Sequence, residues 1–431
     1  MSKRPPTDKK DALGERYLSG LPLRHYSPPT GQRMSGRLNI GVSIGLILII
    51  GLVLLLMSSS IDSPQHDCEN DAADPLHRME ICTALLERES QGEDERARAY
   101  AARGNAYFRM GDFAAAVADY SEAIARDPDK PANWFNRGSA HYGAGNYKSA
   151  IRDFTEVIAI NPDSGRAWYS RAYAQLRIGA TSKAVADFDQ AIFFNPRLAM
   201  AWSGRGMAQI AAGQYDRALT DMDEAIRLDP KLVPARIGRA TAIRFGGDRG
   251  RALEELDLIV AQAPENAEAW SARGDVYFDR GDHDRAIADY DTAIRLDRRR
   301  AGLWQMRGNA FLTKGEYGRA IADYDEALSL ERDNAPGLNA LAWMQATSRE
   351  SRLRDGIKAV ALAERAIRLD EANANYRDTL AAAHAEAGHF IDAVREQERA
   401  VHMLQEGGEP KVLAEAQARL DLYRQGKPFR E

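Results

Sequence analysis

From Ala97 onward the chain repeats itself every 34 residues. Units start at Ala97, Pro131, Gly165, Ala199, Val233, Ala267, Ala301, Ala335 and Ala374, and only the eighth is longer, at 39 residues, with its extra length around Thr347–Gly356. A unit this short cannot bury an apolar face alone. It must stack on its neighbours, so the period constrains the fold more than length or composition does. Position 8 of every unit is small (Gly104, Gly138, Ala172, Gly206, Ala240, Gly274, Gly308, Ala342, Ala381) and position 20 is always Ala, from Ala116 to Ala393. Small residues at such a spacing let two helices approach closely. Position 15 is Gly in eight units, from Gly111 to Gly315 and again at Gly388, as a helix C-terminus in a left-handed conformation requires. Position 24 is a large apolar residue in the first seven units (Tyr120, Phe154, Phe188, Met222, Leu256, Tyr290, Tyr324). Position 32 is Pro in the first five, ending the second helix. Each unit therefore reads as helix A, a Gly turn, helix B and a Pro turn.

With Trp134, Trp168, Trp202, Trp270 and Trp304 at position 4, this pattern resembles the tetratricopeptide repeat, whose signature joins Trp, Gly and Tyr in helix A to Ala, a large ring and Pro in helix B. The resemblance covers residues 97–407, as nine units. It implies an all-α solenoid, a right-handed superhelix with A helices lining the concave side. Residues 408–431, with periodic Val412, Leu413, Ala416, Leu420, Leu422 and Tyr423, read as a C-terminal capping helix and tail.

The chain departs from that signature at one place. Position 7 is Arg in seven units (Arg103, Arg137, Arg171, Arg205, Arg239, Arg273, Arg307), and position 23 is acidic in the same seven (Asp119, Asp153, Asp187, Asp221, Glu255, Asp289, Asp323). Both become apolar together in the eighth, at Leu341 and Leu362. Joint gain and loss predicts an ion pair between helices A and B, or across the unit boundary. The ninth unit, with Leu380 and Glu396, shows no such pairing.

Family members bind peptide or protein segments through helix-A positions 2, 5, 9, 12 and 13. Carried over, those positions predict a basic, aromatic lining in units one to three: Arg98, Asn105, Phe108, Arg109, Phe135, Tyr142, Arg166, Tyr169, Tyr173 and Arg177. Unit six contributes Glu268, Asp275, Phe278 and Asp279, which are acidic overall. Rings interleaved with Arg suit an acidic, partly apolar peptide. The family's carboxylate clamp for chaperone tails needs a Lys where Ala101 stands, and only Asn105 fits it, so chaperone-tail binding is not expected.

The N-terminal part has a different composition. Residues 1–37 carry eight Lys/Arg against Asp8, Asp11 and Glu15, with Pro5-Pro6 and Pro28-Pro29 and no helical period, and read as a disordered basic tail. Leu38–Met57 is 20 residues without a charge, long enough as a helix to span a bilayer core. It is longer than the apolar stretch of a cleavable signal, and Ser58-Ser59-Ser60 makes a weak cleavage site, so an uncleaved anchor is expected. Gly41 and Gly45 have the spacing of a helix-dimerisation pair, although chance explains two glycines in this span more simply. The flank after it holds Asp62, Asp67, Glu69, Asp71 and Asp74 but no Lys or Arg before Arg78, so the positive-inside rule leaves the N-terminus cytoplasmic and the repeats outside, in a bacterial periplasm or another extracytoplasmic space.

Residues 58–96 form a linker and an N-terminal capping helix opened by Asp74-Pro75. They hold the only two cysteines, Cys68 and Cys82. On the outer side a Cys68–Cys82 disulfide is expected, worth about 3 kcal/mol by loop closure. The alternatives are free buried thiols or a Cys2His2 site with His66 and His77, whose spacing fits no common zinc pattern.

No catalytic arrangement is evident. No phosphate-binding glycine motif follows a strand, His384 and His389 are five apart rather than on one i, i+4 helix face, and both thiols lie outside the repeats. No cofactor is implied. With 58 Lys+Arg against 63 Asp+Glu, the net charge of −5 argues against bulk nucleic-acid binding. The expectation is a non-enzymatic, membrane-anchored scaffold that takes a protein or peptide partner in its groove. The alternatives are an accessory subunit binding through the long turn with Arg349, Arg352 and Arg354, or a secreted form released by cleavage.

Overall fold

The computed structural model describes residues 64–88, 92–406 and 409–431. They form 21 α-helices and one short 3-10 turn, with no strand among them. The expected basic tail 1–37 and the apolar span 38–57 with Gly41 and Gly45 lie outside the described residues. Among those described, no helix is long and apolar enough to cross a membrane. The chain divides at Val233 into two compact bodies.

In the first body, α1 (Pro64–Glu69) and α2 (Pro75–Leu86) precede four helix hairpins. These are α3 (Glu93–Met110) with α4 (Phe113–Arg126), α5 (Pro131–Gly143) with α6 (Tyr147–Ile160), α7 (Gly165–Arg177) with α8 (Thr181–Phe194), and α9 (Ala199–Ala211) with α10 (Tyr215–Leu228). Helix α3 opens at Glu93, a turn ahead of Ala97, and its first turn holds Glu93, Asp94 and Glu95, which complement the positive end of the helix dipole. In the second body the hairpins are α11 (Val233–Phe245) with α12 (Arg249–Gln262), α13 (Ala267–Asp279) with α14 (His283–Leu296), α15 (Ala301–Thr313) with α16 (Tyr317–Leu330), α17 (Ala335–Thr347) with α18 (Gly356–Leu369), and α19 (Ala374–Glu386) with α20 (Phe390–Gln405). Helix α21 (Pro410–Arg424) closes that body. Each body is an all-α stack of hairpins.

A single turn recurs between A and B helices. Gly111 sits at φ +80°, where a Cβ would be strained. It lets Asp112 N–H reach back to the Tyr107 carbonyl (3.0 Å), while the Asp112 side chain accepts from Ala115 N–H (3.0 Å). One dipeptide thus ends a helix and caps the next. Where position 8 is Gly and position 24 a ring, the two face each other within the hairpin. A Cβ added at Gly138 would lie 2.9 Å from the Phe154 ring, and one at Gly274 would lie 2.8 Å from Tyr290.

The arginine–acid pairing is realised both within hairpins and between them. Arg103, Arg137, Arg171, Arg205, Arg273 and Arg307 each grip their acid on helix B through Nε and Nη2, at 2.6–2.9 Å. The remaining Nη1 reaches the B helix of the preceding hairpin: Ser121 from Arg137, Thr155 from Arg171, Asp189 from Arg205, Asp257 from Arg273 and Asp291 from Arg307. Arg103 does the same to Thr83 on α2, which stands where a preceding B helix would be. The acids are almost wholly buried, the arginines nearly so. A planar fork with donors on three nitrogens suits a seam where three helices meet, which a Lys could not span in this way. In the hairpin that lacks the pair, Leu341 and Leu362 join an apolar cluster instead. Glu396 in the ninth hairpin does find cations, from Arg377 (3.3 Å), Arg395 (3.5 Å) and Arg399 (2.8 Å).

The five position-4 tryptophans, expected to be core packers first, lie half-buried at the edge of the core. Their ring faces carry the ladder arginines at 4.7–5.0 Å. Their indole N–H donates to the carbonyl six residues earlier, as Trp134 does to Pro128 (2.7 Å) and Trp270 to Pro264 (2.8 Å). Each Trp therefore fastens the inter-unit turn to the seam. Trp343 is out of this register and buried.

Cys68 and Cys82 form a disulfide that joins α1 to α2, with a Cα–Cα distance of 4.9 Å. Neither sulfur is available to a metal, which removes the Cys2His2 alternative. Asp74 caps α2 through Leu76 and His77 N–H. Buried Arg78 ties the two helices further, through the Cys68 carbonyl (2.8 Å) and Asp71.

The longer turn of the eighth hairpin holds the 3-10 segment Ser351–Leu353 and re-enters a helix at Gly356. A Cβ there would lie 2.5 Å from the Ala387 backbone nitrogen, an atom that cannot step aside. Gly356→Ala will therefore lower stability by about 1–3 kcal/mol through forced displacement of α19's end. An unchanged denaturant midpoint would contradict that contact.

A helix-A face already gripping its own chain

The ten residues expected to line a groove all fall in the first body, and its helix-A face uses them unequally. Arg98 and Arg109 on α3 are exposed, and both are engaged with the N-terminal cap. Arg98 Nε pairs with Glu69 Oε1 at 2.9 Å. Arg109 Nη1 donates to the backbone carbonyls of Asp71 (2.9 Å) and Ala73 (3.1 Å). The stretch Glu69–Ala73, held in place by the disulfide, thus lies across helix A as a peptide would. Asn105 accepts from Tyr120 Oη (2.9 Å) and Asn136 Nδ2 (3.4 Å). Phe108 is half-buried against Phe113, with ring centroids 5.5 Å apart.

The aromatic part of the expectation needs correcting. Phe135, Tyr169 and Tyr173 are only 3%, 6% and 1% exposed. Phe135 packs on Phe154 at 5.4 Å, and Tyr169 and Tyr173 pack on each other at 4.8 Å and on Phe188. Positions 5 and 9 point along the stack, so a neighbouring hairpin covers whatever large ring they carry. Burial pushes the Tyr169 hydroxyl well above the usual phenol range and Tyr142 up to about 12. Neither ionises under physiological conditions.

Beside these rings lie two half-buried cations on aromatic supports. Arg166 lies over Phe135 at 4.9 Å, and Arg177 lies over Tyr147 at 4.9 Å, with half-buried Tyr142 beside Tyr147 at 5.3 Å. Stacking uses the flat face of a guanidinium, and its N–H edge is the part that meets a carboxylate.

In the second body two of the acidic residues expected of unit six, Asp275 and Asp279, are already paired. Asp275 is buried, accepting from Tyr290 Oη (2.8 Å) and Arg244 Nη1 (3.1 Å), and Asp279 takes Arg244 Nε (2.7 Å). Arg354 of the longer turn is also committed to the fold, through Glu386 (2.8 Å) and the Ser348 carbonyl (2.9 Å). This leaves the turn less free to serve as a basic docking loop.

Two arrangements escaped the sequence reading. Helix spacing sets His384 and His389 apart, but His389 caps the next helix across the Gly388 turn. Its N–H meets the His384 carbonyl at 2.8 Å, and the two rings stand 6.0 Å apart. With Asp392 they bring three donor atoms within 4.8 Å of one another, a set that could hold a metal ion, although Asp392 is paired with Arg395 at 2.8 Å. The second arrangement is the segment after α21, which returns to Trp343 on α17. A Trp at position 9, out of step with the five at position 4, was the one available signal.

Sequence models of the tetratricopeptide repeat match residues 101–164, 135–199, 182–233, 209–276, 267–299 and 301–334, together more than half of the chain. No curated protein matches it. Among solved structures, a tetratricopeptide repeat protein from Parabacteroides merdae is similar at 23% identity with a TM-score of 0.50, covering 56% of this chain and 96% of that one. A thermophilic protein of the same repeat class from Thermus thermophilus, TTC0263, shares 24% identity with a TM-score of 0.40, over 42% of this chain and all of that one. Yeast Tom70 shares 16% with a TM-score of 0.41, over 81% and 92%. At these identities the likeness shows the fold alone.

Proposed function

The chain belongs to the tetratricopeptide repeat family, and on that premise we propose that it is a scaffold that captures an acidic segment of a partner protein along the helix-A face of its first body. One observation carries this reading. Arg98 and Arg109 already hold Glu69–Ala73 through a carboxylate and two backbone carbonyls, which are the contacts an extended acidic peptide offers any helix-A face. Arg166 and Arg177, supported on rings, extend the same chemistry two hairpins further on. Charge-assisted bonds of this kind add affinity and steer encounter.

The test is the double variant Arg166→Glu/Arg177→Glu. It should weaken capture of acidic peptides by roughly 10–100-fold with no change in helical content. Undiminished capture by the folded variant would remove the assignment.

The proposal also places the scaffold at a membrane, anchored by Leu38–Met57, with the repeats on the extracytoplasmic side. Support comes from the basic flank before that span and the acidic flank after it, and from the Cys68–Cys82 disulfide, a bond that persists in oxidising compartments.

A further inference from the structure

The second body covers part of its own helix-A face. Two residues past the end of α21, Gly426 with a φ of +68° turns the chain sharply, and Lys427 N–H bonds back to the Leu422 carbonyl (3.0 Å). Pro428 follows, and the next three residues run back onto α17 and α19. The Phe429 ring packs 5.9 Å from Trp343, and the Arg419 guanidinium lies 5.4 Å from the Trp343 ring and 5.6 Å from Phe429. Arg430 pairs with Glu386 and donates to the Ala346 carbonyl (3.3 Å). Glu431 N–H donates to the Thr347 carbonyl (3.0 Å), and its side chain accepts from Trp343 Nε1 (3.0 Å).

Two features give this contact the character of a recognition site. First, the α17 and α19 residues that stack on, bond to or pair with the tail stand at helix-A positions from the family's binding set: Trp343, Ala346 and Thr347 are positions 9, 12 and 13 of their unit, and Glu386 is position 13 of the next. Second, each tail side chain has its own kind of partner. The ring has an aromatic platform, the cation has a buried-edge carboxylate and a carbonyl, and the acid has an indole N–H. The tail remains half-exposed along its outer side, while Tyr423 of α21 sits fully buried in the apolar cluster beneath. Phe429 packs against that same cluster as a partly buried ring, and Arg430 and Glu431 continue past it along α17 and α19.

We propose that the helix-A face built by Trp343, Thr347 and Glu386, with Arg419 of α21 beside it, is a binding site for an aromatic–arginine–acid triplet. Phe429-Arg430-Glu431 is its resident occupant, and a partner protein segment bearing the same triplet enters by displacing it. This rests on the reading that helix-A faces take peptide segments, and it adds a second specificity, for an aromatic–arginine–acid triplet, to the acidic one in the first body.

The probe is a labelled, amidated peptide of sequence Gln-Gly-Lys-Pro-Phe-Arg-Glu, added to the full chain in detergent. Against wild type it must compete with the tail. Against Phe429→Ala/Arg430→Glu, where the tail is released, it should bind roughly tenfold more tightly, the gain expected when a competitor that fills a site nine-tenths of the time is removed. Adding Glu386→Arg to that variant should abolish binding, and a peptide with its Arg changed to Glu should restore it. Failure of the peptide to bind the tail-released variant, with helical content intact, would make the tail a structural cap and overturn the proposal. If acidic-peptide capture still depends on Arg166 and Arg177 in that case, only this inference falls. If it does not, the wider reading falls with it.

Discussion

Arg273→Met will destabilise the second body by about 3–5 kcal/mol, because it leaves Asp289 buried without its cation. Asp289 now shares two bonds of 2.8 Å with that guanidinium, whose Nη1 also holds Asp257 at 2.8 Å. Adding Asp289→Leu should recover most of the loss, since a well-packed apolar pair commonly replaces a buried ion pair at no cost. Hairpin eight, with Leu341 and Leu362, is the chain's own version of that double variant. The pH dependence provides a separate check. Burial pushes the Asp289 carboxyl above its usual 3.8, with Arg273 pulling it back down. A carboxyl raised in the folded state contributes stability that is complete below that usual value and is lost as pH rises through the shifted one. Without Arg273 the shift grows, so the variant's deficit should be largest at neutral pH and shrink on acidification. A deficit that stays constant with pH would mean lost packing on Trp270, not a stranded charge, is the cause.

Loss of the disulfide is expected to have the largest functional effect. Cys82→Ala should cost the N-terminal cap about 3 kcal/mol, the loop-closure term for 14 residues. The cap is small, so a loss of this size is enough to let Glu69–Ala73 leave α3. Arg98 and Arg109 are then released, and acidic-peptide capture by the first body should rise while the hairpins beyond it keep their hydrogen-exchange protection. Unaltered capture would show that the cap stays docked without the disulfide, through Arg78 and the α3 contacts. The same thiols report on topology. Alkylation in the native membrane should label two cysteines only after reduction, and labelling without reduction would sink the extracytoplasmic proposal.

The fold class was legible because its signal is local and periodic. A glycine every 34 residues at a helix end, an alanine where two helices touch and a ring opposite a small residue each state a short-range requirement, and the requirement recurs. The pairing of Arg at position 7 with an acid at position 23 was legible for the same reason, as the two residues come and go together. Whether the guanidinium stays within its hairpin or reaches the preceding one could not be read from spacing. It does both, since Arg offers donors on three nitrogens and sits where three helices meet.

The site was less legible. Phe135, Tyr169 and Tyr173 occupy helix positions that face along the stack, and helix position gives a direction without saying what stands there. The neighbouring hairpins cover them and leave Arg166 and Arg177 half-buried beside them. His384 and His389 looked misplaced by helix spacing because the turn between them belongs to neither helix. Phe429 and Trp343 meet across most of the last two hairpins, with no periodicity to link them. By itself, then, the sequence determined the repeating all-α hairpin, its turns and the acid partner of each ladder arginine, because these depend on residues within one unit. Only the tertiary structure decided which helix-A residues are buried, which are half-exposed and which are occupied by the chain's own flanking segments, because exposure depends on what distant residues place against a surface.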